Sequence, residues 1–399
     1  MNTKLSRMAD TKVAFITNFC THYTQGLFEE LAERFNVEYY FYSPGNEWYW
    51  EGKLGTIRGG GFRSRYLSGF ALGHTHITPT LLFHLLMGRY DVYVKCINGK
   101  FALPITYIAA RLKRKPFVLR TEIWTDLETP LQKLVSPLVN YIYRRADSVV
   151  AYGEHVKRYL VSKSVAIERI FVALPVVDNR MYNQILSEEE RITLRDQMQI
   201  GQGKKVVLYL GRLVTSKGCK YLVEAFASLQ RNDAVLVLVG DGPERANIEA
   251  MVTRYNLTDS VRFVGHIAQE LTPKYYGVAY VQVLPSITTE AGKEPWALVV
   301  NEAFNQGVPV IASDAVGAAA GGLVQEGVNG FVVPERDSLS LAKAIRVILD
   351  DERLRERLSA HASAEIAGWT HRRMANVFVD AIQYAMMRKS TSIEPPYNS

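Results

Sequence analysis

Apolar positions along the chain fall into two successive series of short apolar runs, separated by stretches with a helical period. In the first half, "KVAFITNF", "VEYYFYS", "YDVYVKC", "FVLRTE" and "SVVAYG" read as strands, and "GLFEELAERF" is among the helical patterns between them. In the second half the runs are "KVVLYLGR", "AVLVLVGDG", "VRFVGH", "YVQVLPS", "VPVIASD" and "GFVVP", with helices at "GCKYLVEAFASL" and "ERANIEAMVTRYN". Near-continuous apolar runs mark strands buried on both faces of a parallel sheet. Their alternation with helices predicts an α/β fold of two Rossmann-like domains. "ILSEEERITLRDQMQIGQGKK" reads as a short helix and linker between the two series, and "THRRMANVFVDAIQYAMM" as a terminal amphipathic helix. The expected division is 1–190 and 191–369 for the two domains, 370–388 for the last helix and 389–399 for a disordered tail. "EGKLGTIRGGGFRSRYLSG" reads as a long loop.

Composition narrows the class. An apolar fraction of 48% and a charged fraction of 22% over 399 residues are those of a soluble globular protein. Cys20, Cys96 and Cys219 lie too far apart in sequence for a disulfide framework or a metal motif, which suits a reducing compartment. The first residues have no apolar core like that of a signal peptide, and no run reaches the ~18 apolar residues of a membrane span. The expectation is a cytoplasmic protein, or one held at the inner face of a membrane.

Charge changes that picture in one respect. Residues 1–200 carry 26 Lys+Arg against 19 Asp+Glu, so the whole excess of +7 lies in the first half. A basic half is either a plain solvated surface or a face for anionic lipid or a phosphorylated acceptor. The basic groups at Arg58–Arg65, Arg111–Lys115 and Arg144–Arg145 follow no nucleic-acid-binding motif, so nucleic acid is not expected as a partner.

Candidate chemistry concentrates in the second half. In "LYLGRLVTSKG" a strand ends at Gly211, where the chain can turn, with Arg212 next and Lys217 five residues on. Ligands of open α/β sheets bind beyond the carboxyl ends of strands. Two cations there suit a diphosphate, Arg gripping bidentately and Lys acting as a point charge. The alternative is a surface pair that solvates a loop. "VLVGDGPER" places Gly240 and Gly242 at a turn, for close approach of a ligand or of the next helix, and lacks the full dinucleotide fingerprint.

"EPWALVVNE", residues 294–302, sets Glu294 and Glu302 at the ends of an apolar run. Proline favours the first turn of a helix and disfavours helix in the residue before it. That reading leaves Glu294 in a loop, puts Glu302 one to two turns into a helix, and makes the N–H groups of Trp296, Ala297 and Leu298 an anion site between them. A ligand with a central diphosphate and a hydroxylated group at each end fits. A capping acid and a solvated helical Glu are the plainer alternative.

The order of these motifs, over about residues 204–360, resembles the donor-binding domain of the retaining glycosyltransferases of the GT-B fold, family 4, also called glycosyl transferases group 1. The resemblance implies two Rossmann-like domains facing a cleft, with the terminal helix crossing back to the first. It implies that Glu294 binds the transferred hexose and Glu302 the ribose, that Arg212 and Lys217 bind the diphosphate, and that His266, closing "VRFVGH", and Gly211 and Gly240 border the donor. Ala297 stands where the family commonly has glycine. The first half resembles the family's acceptor domain more weakly: Gly26 is placed to approach the diphosphate. Glu122 stands near the position of a histidine that many relatives carry, a candidate acceptor-facing base, or else a cap for "IWTDLETP". His22 and Tyr23 are alternatives to it, and His155 reads as an exposed helical residue.

The resemblance thus implies a metal-independent hexosyltransferase with no cofactor. It would move a sugar from a nucleoside diphosphate sugar to a sugar or lipid-linked acceptor, with retention, in polysaccharide, lipopolysaccharide or glycolipid synthesis. The catalytic candidates are Arg212, Lys217, Glu294 and Glu122. The rival readings are a non-catalytic partner that kept the fold, and another GT-B enzyme such as a nucleotide-sugar epimerase or a phosphorylase.

Overall fold

The structure is a computed structural model and describes residues 8–43, 61–73, 75–97 and 99–391. Residues 392–399 and much of the stretch 51–69 therefore lie outside the described residues, whereas 389–391, expected in a disordered tail, form the last turn of the terminal helix. Two compact units emerge, one of the residues up to Pro175 together with those from His371 onward, the other Val176–Thr370.

The first unit is built on β1 (Lys12–Thr17), β2 (Asn36–Phe41), β3 (Arg63–Tyr66), the hairpin β4 (Phe70–Leu72) and β5 (Thr75–Ile77), β6 (Val92–Cys96), β7 (Phe117–Thr121), β8 (Ser148–Ala151) and β9 (Ile170–Val172). Apart from the hairpin these form one parallel sheet in the order β3-β2-β1-β6-β7-β8-β9. Val13 pairs with Val37 on one side and Val92 on the other, which fixes the centre of the sheet. β6, β7 and β8 are buried along their whole length, as their unbroken apolar runs require. The terminal helix, His371–Thr391, packs on the helix His22–Ala32 and on β7–β9. There the Ser148 hydroxyl donates to the Ala381 carbonyl at 2.8 Å and Phe378 meets Phe15.

The second unit has β10 (Lys205–Leu210), β11 (Ala234–Val239), β12 (Val261–Gly265), β13 (Val281–Leu284), β14 (Val310–Ser313) and β15 (Gly330–Val333) in the parallel order β12-β11-β10-β13-β14-β15. The order reverses between β10 and β13. Loops leaving the carboxyl ends of those two strands therefore diverge to opposite faces and leave a crevice for ligand.

Three expectations change. The division falls at Pro175, not 190, because residues after it anchor in the second unit: Asn179 donates to the carbonyls of Ile366 and Trp369, and Gln269 donates to the Tyr182 hydroxyl. Arg63–Tyr66, read as loop, is an edge strand on β2; three of its four side chains are exposed, so its sequence carries no apolar signal. His155, read as exposed, is buried with its ring edge-on to Trp124. No helix among the described residues is long and apolar enough to cross a membrane.

Candidate active site

The crevice at the carboxyl ends of β10 and β13 is shaped by backbone touching backbone. Gly211 donates its N–H to Val239 O, and Leu213 to Asp241 O, so the loop after β10 lies on the loop after β11. Gly240 holds φ 128°, and a Cβ there would stand 1.9 Å from the Gly211 carbonyl oxygen; one at Gly242 would stand 2.4 Å from that of Leu213. These glycines serve loop-on-loop contact, a sharper role than the approach of a ligand or helix. Gly211 has no left-handed φ, and a Cβ there would meet only the Tyr209 hydroxyl, at 3.2 Å. The turn itself does not demand glycine. The Tyr209 hydroxyl donates to Arg212 O at 2.7 Å and so fixes the start of the loop. The Arg212 side chain is exposed and forms no ion pair among the described residues. His266, also exposed, follows Gly265, whose carbonyl accepts from Gly240 N–H.

Lys217 ends the short turn Thr215–Lys217, which Gly218 closes at φ 63° under the Pro285 carbonyl. Its ammonium stands 2.5 Å from Glu294 Oε2, and the Ser286 hydroxyl donates to the same oxygen at 3.4 Å. Both partners are half-buried. Glu294 is held by its backbone as well, donating to Ala315 O and accepting from Gly317 N–H. The Tyr209 hydroxyl lies in the field of both Glu294 and Arg212, which ties the two loops into one site.

The run 294–302 departs from the expected start of a helix. The helix is Val299–Asn305, only seven residues, so Pro295 lies in a turn ahead of it. Ala297 makes that turn with φ 74°, a conformation that favours glycine. Among the described residues no group accepts from the N–H of Ala297 or of Leu298. Trp296 is a core side chain, its indole N–H donating to Asn301 Oδ1 at 2.9 Å and its ring 5.9 Å from that of Trp369. Glu302 is also buried and accepts from the Tyr276 hydroxyl at 2.8 Å; it is not a solvated helical acid.

The first-unit candidates have other surroundings. A Cβ on Gly26 would stand 2.7 Å from Nδ1 of His371, whose Nε2 bonds the Tyr23 carbonyl. Gly26 admits that imidazole, so the expected approach to a diphosphate is not what makes it glycine. The His22 ring lies against that of Tyr23, and burial lowers its pKa to about 4. Glu122 follows β7, and among the described residues the Ile123 N–H is accepted by the Thr121 hydroxyl and not by Glu122. Burial raises the Glu122 pKa, against the opposing pull of Arg120, a Tyr152 hydrogen bond and Lys95.

That cluster was missed in the sequence. Lys95, inside the apolar run "YDVYVKC", is wholly buried; it donates to the carbonyls of Cys96 and Ile97 and lies over the Tyr42 ring. Burial lowers its pKa to about 7. Arg120 stacks on Tyr152 with 4.1 Å from its guanidinium carbon to the ring centre. A lysine within a strand whose neighbours are all apolar was the available signal. Among the described residues no group of three His, Cys, Asp or Glu side chains is placed to hold a metal ion.

Comparison with known proteins agrees on the architecture. Residues 190–364 match the family described as "Glycosyl transferases group 1". The chain is 27% identical over 283 residues to "Alpha-D-kanosaminyltransferase" of Streptomyces kanamyceticus, covering 68% of this chain and 71% of that one. It is 33% identical over 163 residues to the lipopolysaccharide core biosynthesis glycosyltransferase LpsE of Rhizobium meliloti, covering 41% of this chain and 45% of that protein, so it spans less than half of that relative. The crystal structure of Anabaena Alr3699/HepE in complex with UDP superposes with a TM-score of 0.75 at 20% identity, over 94% of this chain and 99% of that one. Two Rossmann-like α/β domains of the GT-B type are thus the fold of this chain.

Proposed function

We propose that this chain is a glycosyltransferase of the group 1 type, family 4, which moves a sugar from a nucleoside diphosphate sugar to an acceptor hydroxyl with retention at the anomeric carbon. The observation that carries the reading is the meeting of Arg212, the Lys217–Glu294 pair and the N–H groups of Ala297 and Leu298 at one sheet edge, inside the segment that matches the family. The UDP complex of the HepE structure and the glycosyltransferase names of the relatives support it.

As the glycosidic bond breaks, negative charge collects on the leaving diphosphate. Arg212 is an exposed cation without an ion-pair partner among the described residues, and Lys217 is held in place by its carboxylate. An ammonium has three donors, and Glu294 takes one. Lys217 can therefore keep its pair and still bond a phosphate oxygen. The two cations and the N–H groups of the 297–298 turn stabilise the developing charge, and no metal is needed for that task. Glu294, held at that spot, accepts from hydroxyls of the transferred sugar; Glu302, fixed by Tyr276, faces the ribose. Glu122 is the proposed base toward a sugar or lipid-linked acceptor, its pKa raised by burial. The setting we propose is assembly of a cell-surface glycan or glycolipid.

The test is nucleotide release from UDP-, GDP- and ADP-sugars incubated with the purified protein. Slow hydrolysis of one donor, abolished in Arg212→Ala, is expected. No hydrolysis and no thermal shift with any donor would favour a non-catalytic GT-B protein, and an isomerised sugar would favour an epimerase.

A further inference from the structure

The first unit carries 27 Lys+Arg against 16 Asp+Glu, a net of +11, while the second carries a net of −4. Much of that excess converges on one cavity of about 690 Å³. Arg111, Arg144, Arg145, Arg169, Arg388 and Lys389 line it, with Asp147 as its one carboxylate. The place is the amino-terminal edge of the sheet, where Asp147 precedes β8 and Arg169 precedes β9. That is the edge opposite Glu122.

The carboxyl ends of three helices, Ala102–Leu112, Pro130–Arg145 and His371–Thr391, reach this point. Each favours a cation of its own. Helix ends do not account for six cations facing one acid. Asp147 is occupied by Arg111 at 2.9 Å and by the Phe117 N–H. Arg169 donates to the Arg144 carbonyl, its Nε is buried without a hydrogen-bond partner, and Arg388 opposes its charge. Cations crowded in this way suit an anion with several oxygens.

A second observation lies beside it. In the helix Pro130–Arg145 only Ile142 and Tyr143 are buried. Leu131, Leu134, Leu138 and Tyr141 are exposed, Leu134 by 77%, and their spacing puts them on one face with Arg145. Tyr141 meets Tyr107 edge-on across the cavity wall, and Ile108 and Leu112 of that neighbouring helix are exposed too. An exposed apolar stripe that runs straight into a cluster of arginines is the arrangement of a helix lying in a lipid interface.

We propose that this face docks on an anionic phospholipid surface, the helix Pro130–Arg145 lying in the interface and the arginine cavity seating the lipid phosphates. The proposal is independent of the donor site, since none of these residues belongs to it.

The test is sedimentation of the full chain with phosphatidylglycerol/phosphatidylcholine vesicles and with phosphatidylcholine vesicles alone, at low and high salt. Binding to the anionic vesicles only, lost at high salt, is expected. Each basic side chain near such a surface is worth about fivefold in affinity. The Arg144→Glu/Arg145→Glu variant should therefore bind at least about tenfold more weakly, and Leu134→Glu should also bind more weakly. All three positions are exposed, and an unchanged melting temperature shows that the variants fold. No vesicle binding at low salt overturns the proposal. So does binding that survives either variant, or, in the absence of vesicle binding, a thermal shift with pyrophosphate that Arg212→Ala keeps and Arg144→Glu/Arg145→Glu loses, which would make the cavity a site for a soluble anion.

Discussion

Lys217 and Glu294 lie 77 positions apart in sequence and stand 2.5 Å apart in space, joining the loop after β10 to the turn before the helix Val299–Asn305. A cation proposed for a diphosphate and a carboxylate proposed for a sugar are thus one unit, and neither is removed without disturbing the other. Glu294→Ala leaves Lys217 uncompensated, so a bare nucleoside diphosphate should bind at least as tightly as to the wild type while affinity for the complete donor falls. Lys217→Ala leaves a carboxylate facing the diphosphate, so both ligands should bind more weakly and turnover should drop a hundredfold or more, equivalent to about 2.7 kcal/mol. A double-mutant cycle on nucleotide affinity should show coupling on the order of 0.5–3 kcal/mol. Additive effects would mean that the pair is incidental. Arg212→Ala, at an exposed side chain, should lose turnover to a similar extent with no change in melting temperature.

Gly240→Ala should damage the site from outside it. The added methyl would lie 1.9 Å from the Gly211 carbonyl oxygen, and backbone cannot swing aside as a flexible side chain can. The loop carrying Arg212 must move. A loss of about 2 kcal/mol or more in stability, with weaker nucleotide binding, is expected from thermal unfolding and titration calorimetry. Gly26→Ala gives the contrast: its neighbour is the His371 ring, so it should destabilise the first unit and leave nucleotide affinity unchanged. Weakened nucleotide binding in Gly26→Ala would restore the expectation that Gly26 approaches the diphosphate.

Much of this was legible because apolar runs of central strands are dictated by burial on both faces. All six strands of the second sheet were marked by their runs, and so was the terminal helix. The edge strand Arg63–Tyr66 was not, since an exposed edge needs no apolar residues. Within the site, motif order brought Arg212, Lys217 and Glu294 forward, but no local pattern states that Lys217 and Glu294 touch. Trp296 and Glu302 are set by packing against Trp369 and Tyr276, which are remote in sequence. The glycine roles stayed open for the same reason. Whether Gly240 faces a ligand or Gly211 is a tertiary fact. The Lys95–Arg120–Glu122–Tyr152 cluster is assembled from three strands, and Lys95 among its apolar neighbours is the one sign of it in the sequence.

Lys95 gives that cluster a pH signature. Its pKa is lowered to about 7 by burial, whereas an unfolded lysine titrates at about 10.4. Between those values the folded chain holds fewer protons than the unfolded chain, so the contribution of Lys95 to stability improves as pH rises through this window. Below pH 7 both states are protonated and the burial penalty is fully present. Lys95→Met removes the titration. The stability of the wild type relative to Lys95→Met should therefore climb between pH 7 and 9, by up to about 1.4 kcal/mol per pH unit. Denaturant unfolding of both proteins across that range measures it. A flat difference would mean that the ammonium stays charged in its carbonyl cage.

Ala297 offers the most local test of how the turn is built. Its φ of 74° lies in the left-handed region, which costs a non-glycine residue about 1–2 kcal/mol. Glycine removes that strain but gives back about 0.5–1 kcal/mol through the greater freedom of the unfolded chain. Ala297→Gly should therefore stabilise the second unit by up to about 1 kcal/mol, a rise in melting temperature of about 2–4 °C in a unit of this size. It should also clear a methyl from the turn that links Glu294 to the helix, so donor affinity should stay the same or increase. Ala297→Val adds β-branching to the same strain and should lower both stability and donor affinity. If Ala297→Gly were less stable than the wild type and Ala297→Val no worse, the residue would not hold a left-handed conformation in solution. The geometry that exposes the N–H groups of Ala297 and Leu298 would then have to be rebuilt, and the proposed diphosphate contact with it.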